Sequence, residues 1–140
     1  MPDRRTAAVV AALAVALLGA CSSRPPSQIA STASVTIDGN DRNFHIVKCG
    51  QLEWTRTIDI GGDFAGAKVV IDESGQQPAA TSVHIRNLGG FSGMYSRGGD
   101  GTADTSMSGG KYTISGTANG YKTDKPGEPA SAPFKIVVTC

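Results

Sequence analysis

Aromatic side chains make up only 6% of the 140 residues, so the core has to be built mainly from Val, Ile, Leu and Ala. Charge of one sign is missing as well. The formal net charge is +1, and removing Asp3, Arg4 and Arg5 with an amino-terminal segment leaves eleven residues of each sign. Nucleic-acid binding needs a basic face that releases counterions from phosphates, and a neutral chain argues against one. No apolar run reaches the roughly 18 residues of a membrane-spanning helix. Helical periodicity is absent too. Ala65 and Ala67 come nearest, but they flank Gly66, and a helix-interior glycine costs about 1 kcal/mol relative to alanine. At most, Asp63 to Lys68 or Asp124 to Ala130 could hold a single turn. The length suits one domain, with too little chain to enclose a large ligand cavity as well. A channel, a nucleic-acid binder and a multidomain enzyme are all disfavoured.

What is present begins at the amino terminus. Arg4 and Arg5 precede twelve consecutive Ala, Val or Leu residues, Ala7 to Leu18. Leu18-Gly19-Ala20-Cys21 follows. A charged head, a short apolar run and small residues make a secretory signal peptide, expected over residues 1–20. Ordinary cleavage at an A-x-A-like site is the alternative, but Leu18 is a poor small residue for it. The four residues fit a bacterial lipobox. In that chemistry the Cys21 thiol takes a diacylglyceryl group, the peptidase cuts before it, and the new amine can be acylated. Each buried CH₂ of an acyl chain contributes about 0.8 kcal/mol, so two or three chains anchor the protein nearly permanently. The membrane is therefore an expected partner, through the lipid, on the outer face of the cell membrane.

Cysteine parity agrees. With Cys21 lipidated, Cys49 and Cys140 remain as one pair, and an exported chain meets an oxidising compartment where a disulfide persists. Neither has a CxxC neighbour, which argues against a metal or nucleophilic thiol. Residues 21–34 are rich in Ser, Pro and small side chains, a composition that predicts a tether holding the domain off the membrane. Ser31 and Thr32 could accept O-linked sugars, though a plain linker explains them equally well.

Residues 35–140 alternate with period two. Val35 and Ile37 share a face; so do Leu52, Trp54, Ile58 and Ile60, a face Arg56 interrupts, lying along Trp54 or marking a strand end. Val83 and Ile85, Tyr112 and Ile114, and Phe134, Ile136 and Val138 continue the pattern, with Cys140 on the last of these faces. Turn signals fall at Asp38-Gly39, Gly50-Gln51, Gly75 to Pro78, Gly89-Gly90, Gly98-Gly99, Gly109-Gly110 and Lys125 to Pro129. The prediction is an all-β antiparallel sandwich or curled sheet of about seven or eight short strands, closed by one disulfide.

Few residues suggest chemistry. His45 and His84 lie in separate strand-like segments, and two histidines at that spacing do not ask for a zinc or copper site. No G-x-S-x-G elbow is present. Gly110-Lys111 resembles a phosphate loop, but Thr105 replaces its first glycine and Tyr112 its hydroxyl residue. Gly98-Gly99-Asp100-Gly101 resembles a calcium-binding repeat in a single copy, with Asp104 one position late. No catalytic residue, metal or cofactor is expected. Phe91, Met94, Tyr95 and Arg97, flanked by glycine pairs, form a candidate contact loop with aromatic and Arg anchors; the alternative, which the composition favours, is an ordinary strand.

Val35-Thr36-Ile37-Asp38-Gly39, Cys49, the run Tyr112-Thr113-Ile114-Ser115-Gly116-Thr117-Ala118-Asn119-Gly120 and the ending Phe134-Lys135-Ile136-Val137-Val138-Thr139-Cys140 resemble the mycobacterial nineteen-kilodalton lipoprotein antigen family. The likeness covers most of the chain after the tether, and its motifs are structural rather than catalytic. It implies a surface-exposed envelope lipoprotein whose acylated terminus is sensed by Toll-like receptor 2 and which acts in adhesion. Cys21, with Ser22 and Ser23, would carry the sensing role. The family's tether is richer in threonine and glycosylated; this one is sparser. A different class of function, an envelope module that binds a lipid, glycan or partner lipoprotein, would show itself as a hydrophobic cleft.

Overall fold

A computed structural model describes residues 31–140. The expected signal peptide, Cys21 and most of the tether lie outside these residues. Ten strands form: β1 (Ala33–Ile37), β2 (Asn40–Phe44), β3 (Val47–Leu52), β4 (Thr55–Gly61), β5 (Gly66–Asp72), β6 (Ala79–Leu88), β7 (Phe91–Ser96), β8 (Thr102–Ser108), β9 (Lys111–Lys122) and β10 (Lys125–Thr139). The all-β expectation holds, with ten strands rather than seven or eight, and there is no helix among the described residues. β1 starts at Ala33, two residues before the expected domain boundary.

All strands belong to one antiparallel sheet in the order β2-β1-β10-β9-β7-β6-β5-β4-β3, with β8 also paired to β9. Two interruptions explain its shape. β2 and β3 run in one direction with only His45 and Ile46 between them; β2 pairs with β1 and β3 with β4. One kinked stave therefore serves both edges of the sheet and curls it into a nearly closed barrel. β7 and β8 likewise lie end to end along β9, facing residues 119–122 and 111–117 respectively, and the glycine-rich loop between them is looped out. Counted as staves, the chain goes up and down around a single axis.

Tight turns set the register. Asp38-Gly39, Gly89-Gly90 and Gly109-Gly110 are two-residue connections with positive φ at both positions, the backbone twist that matches paired strands. Three other segments differ from expectation. Gly50-Gln51 lies inside β3, and Lys125 to Pro129 lies inside β10, where an irregularity between Lys125 and Ala130 absorbs the extra residues. The β3–β4 turn falls at Glu53-Trp54, with Glu53 at φ 54.

Inward alternation fills the barrel with Val35, Ile37, Ile58, Ile60, Val69, Ile71, Val83, Ile85, Ile114, Phe134, Ile136 and Val138, all buried. No polar or charged residue is buried among the described residues. Two bulges keep β6 facing inward. Thr81 is the extra residue between Ala80 and Ser82, its hydroxyl donating to the Val70 carbonyl at 3.2 Å. The second spans Arg86 and Asn87. Each shifts the inward parity by one, so Ala80, Val83, Ile85 and Leu88 all reach the core.

Candidate functional site

The barrel has two distinct ends. At the lower end lie the first described residues, the carboxy terminus and the turns at 53–54, 73–78 and 109–110. The Thr139 amide donates to the Thr32 carbonyl at 3.0 Å, and the Cys140 amide donates to the Gly110 carbonyl at 3.0 Å. At the upper end lie the turns at 38–39, 62–65, 89–90 and 123–124.

The disulfide sits at the lower end. Cys49 and Cys140 are joined with Cα atoms 5.8 Å apart, as cysteine parity predicts. Its place follows from the kinked stave. Ala33, the first residue of β1, already pairs with Phe44, so β3 runs on past the start of β1. Among the described residues β3 has a ladder only with β4. The end of β10 lies across that gap, and the bond staples the seam where sheet hydrogen bonding stops.

Beside it, Arg56 points inward from β4 and closes the bottom of the core. Its guanidinium lies 5.7 Å from the Tyr112 ring centroid, rather than along Trp54. Its Nε is 3.6 Å from Glu73 Oε1, an ion pair too long for a hydrogen bond. The Tyr112 hydroxyl donates to the same carboxylate oxygen at 2.5 Å. That hydrogen bond is the chief reason the Glu73 carboxyl is held below its ordinary range; partial burial opposes it, and Gln51 and Arg56 add smaller lowering effects. Burial, then the bond to Glu73, pushes the Tyr112 phenol up. Phenol and carboxylate are thus driven apart, one kept protonated and the other ionised. The arrangement braces the barrel mouth.

Outside this brace the lower rim carries exposed apolar side chains beside the polar Gln51, Glu53 and Gln76. Leu52 is 78% exposed, Trp54 66% and Met107 51%. Trp54 and Met107 line one surface pocket of about 290 Å³ with Gln51, Glu53 and Pro78. Sequence alternation places Leu52 and Trp54 on the inward face with Ile58 and Ile60; the structure puts both outside. Across a two-residue turn the directly opposed pairs are Leu52–Thr55 and Cys49–Ile58, so inward residues are odd-numbered on β3 and even-numbered on β4. An unbroken alternation conceals that change.

The other sequence candidates are dispersed. Cys21 lies outside the described residues. His45 is exposed at the β2–β3 bend and His84 is exposed on the outer face of β6, and no cluster of three or more His, Cys, Asp or Glu forms among the described residues. The candidate contact loop is strand β7. Phe91 and Tyr95 are core residues, while Met94 is exposed on the opposite face of the strand and Arg97 is exposed in the turn just past its end, so the four do not form one contact surface. At the upper end Phe64, 83% exposed, and Tyr121 line a shallow groove of about 420 Å³ with His84 and Arg86.

Comparison with known proteins gives a consistent family. The model of the Mycobacterium 19 kDa lipoprotein antigen family matches residues 26–140. A protein named as a lipoprotein in Mycobacterium indicus pranii is 69% identical over 97% of this chain and 98% of its own length. Another so named, from Mycobacterium avium subsp. hominissuis, is 61% identical over 100% of the chain and 97% of its own. LppE of Mycobacterium tuberculosis, also named as a lipoprotein, is 34% identical over 77% of each chain.

Proposed function

The chain belongs to the Mycobacterium 19 kDa lipoprotein antigen family, and on that premise we propose that it is a non-catalytic display domain, lipid-anchored to the outer face of the cell membrane. The observation that carries the anchor is Leu18-Gly19-Ala20-Cys21 after an unbroken apolar run. Its roles are adhesion and recognition by the host through Toll-like receptor 2, which senses the acylated Cys21 with Ser22 and Ser23 beside it. The barrel supports a display role because side chains fill its interior. A filled barrel offers a rigid outer surface rather than a ligand cavity. In the Arg56–Glu73–Tyr112 group the Glu73 carboxylate is held by an ion pair and a hydrogen bond, a structural use of its charge that supports the non-catalytic reading.

The test compares wild-type protein with Cys21→Ala on cells reporting Toll-like receptor 2 activation. Wild type should activate and the variant should not. Equal activation by both would overturn the assigned role of Cys21.

A second reading, an envelope module that binds a lipid, glycan or partner lipoprotein, is favoured by the upper groove holding Phe64 and Tyr121. A ligand retained by wild type and lost from Phe64→Ala and Tyr121→Ala variants would replace display with binding.

A further inference from the structure

We infer that the lower rim of the barrel, Leu52, Trp54 and Met107, rests in the interfacial layer of the bilayer that holds the acylated Cys21. The inference depends on the anchoring proposed above and adds an orientation to it. Three observations converge. Thr32 stands eleven residues after Cys21, and that stretch, even fully extended, spans at most about 40 Å. Thr32 is bonded to Thr139 at the lower end, so the anchor draws this end toward the lipid and leaves the upper end away from it. The large apolar side chains of the lower rim, Leu52, Trp54 and Met107, are all more than half exposed.

The chemistry of the rim suits an interface. Tryptophan has an apolar body and one N–H donor, and it collects where hydrocarbon meets water. Leu52 and Trp54 flank Glu53 at the tip of a two-residue turn, so both side chains can enter the interface while the backbone stays in the headgroup region. Glu73, the carboxylate at the mouth behind them, is already paired with Arg56. A weak contact is enough, because the anchor makes docking an intramolecular event at high effective concentration. The same geometry accounts for display: the turns of the upper end, with Phe64 and Tyr121, face outward.

Trp54 is the single tryptophan of the chain, so its emission reads the contact directly. Acylated full-length protein would be reconstituted into phosphatidylethanolamine–phosphatidylglycerol vesicles, with or without brominated acyl chains. Trp54 emission should shift to the blue on reconstitution and lose most of its intensity in the brominated vesicles. The double variant Leu52→Ser, Met107→Ser changes exposed residues only; it should float with the vesicles as wild type does and show a smaller shift and less quenching. Protein that floats while Trp54 stays water-exposed and unquenched overturns the docking and leaves the anchor standing. Protein that does not float removes the anchoring reading and the docking together. A blue shift confined to native envelope, without quenching by brominated lipid, assigns the rim to a protein partner and overturns the inference.

Discussion

Opening the Cys49–Cys140 bond should cost global stability and loosen one seam. The bond joins residues 91 positions apart, and for a loop of that length the chain-entropy model gives about 4–5 kcal/mol. Measured losses for small secreted domains run about 2–5 kcal/mol, so a Cys49→Ser, Cys140→Ser variant should fall in that range. With a urea m-value of about 1–3 kcal/mol/M, the unfolding midpoint should drop by roughly 0.7–5 M. The structure adds a local signature. Because β3 is laddered only to β4 among the described residues, breaking the bond frees its other edge. Amide exchange should therefore accelerate most in Val47–Leu52 and at Thr139 and Cys140. The assay is urea unfolding followed by circular dichroism, with amide exchange read by mass spectrometry. An unchanged midpoint after full reduction, or exchange that rises evenly over all strands, would refute this account of the bond.

Three further perturbations test other parts of the fold. Tyr112→Phe removes the hydroxyl donated to the Glu73 carboxylate and should cost about 1–3 kcal/mol, measured by denaturant unfolding. The same variant should flatten the pH profile. The depressed Glu73 carboxyl stabilises the fold above its ordinary value of 4.5, and this is lost as pH falls through the folded value; the raised Tyr112 phenol contributes fully below its ordinary 10.0, and this is lost as pH climbs through the folded value. Gly116→Ala and Gly120→Ala should each cost about 1–3 kcal/mol or more, because a Cβ would overlap the carbonyl oxygen of Thr102 or Ser92. Gly90→Ala, where a Cβ meets open space, should carry only the left-handed backbone penalty of about 1–2 kcal/mol; equal thermal shifts for all three would contradict the close-approach argument. Ile136→Ala, at a fully buried site, should cost about 2–5 kcal/mol in the same unfolding assay.

Period-two alternation was enough to identify the strands of Val35–Ile37, Val83–Ile85, Tyr112–Ile114 and Phe134–Val138, because each has one face in the core. Glycine pairs at 89–90 and 109–110 marked real turns, since positive φ at both positions favours residues without a Cβ. Cysteine parity pointed to the disulfide without any knowledge of the fold. The failures have a common cause: alternation records which residues share a face within a strand, not where a strand changes partner. The kink at His45-Ile46 that serves two edges, the bulge at Thr81 and the parity change across Glu53-Trp54 leave no mark in composition. The lower rim was missed for that reason. Glu53-Trp54 lacks the Asn or Gly usual in such turns, and Trp54 looked like a core residue in step with Ile58. The flanking glycines leave Phe91 to Arg97 open to a contact-loop reading, but the favoured one, an ordinary strand with glycines at its ends, is what the structure has at β7.

The account turns on acylation at Cys21, and the intact mass of protein extracted from the envelope tests it most directly. The predicted species begins at residue 21, carries two or three acyl chains on that cysteine, and has Cys49 and Cys140 joined with no free thiol. An amino terminus at another position, or an unmodified Cys21 thiol on the mature chain, would contradict it.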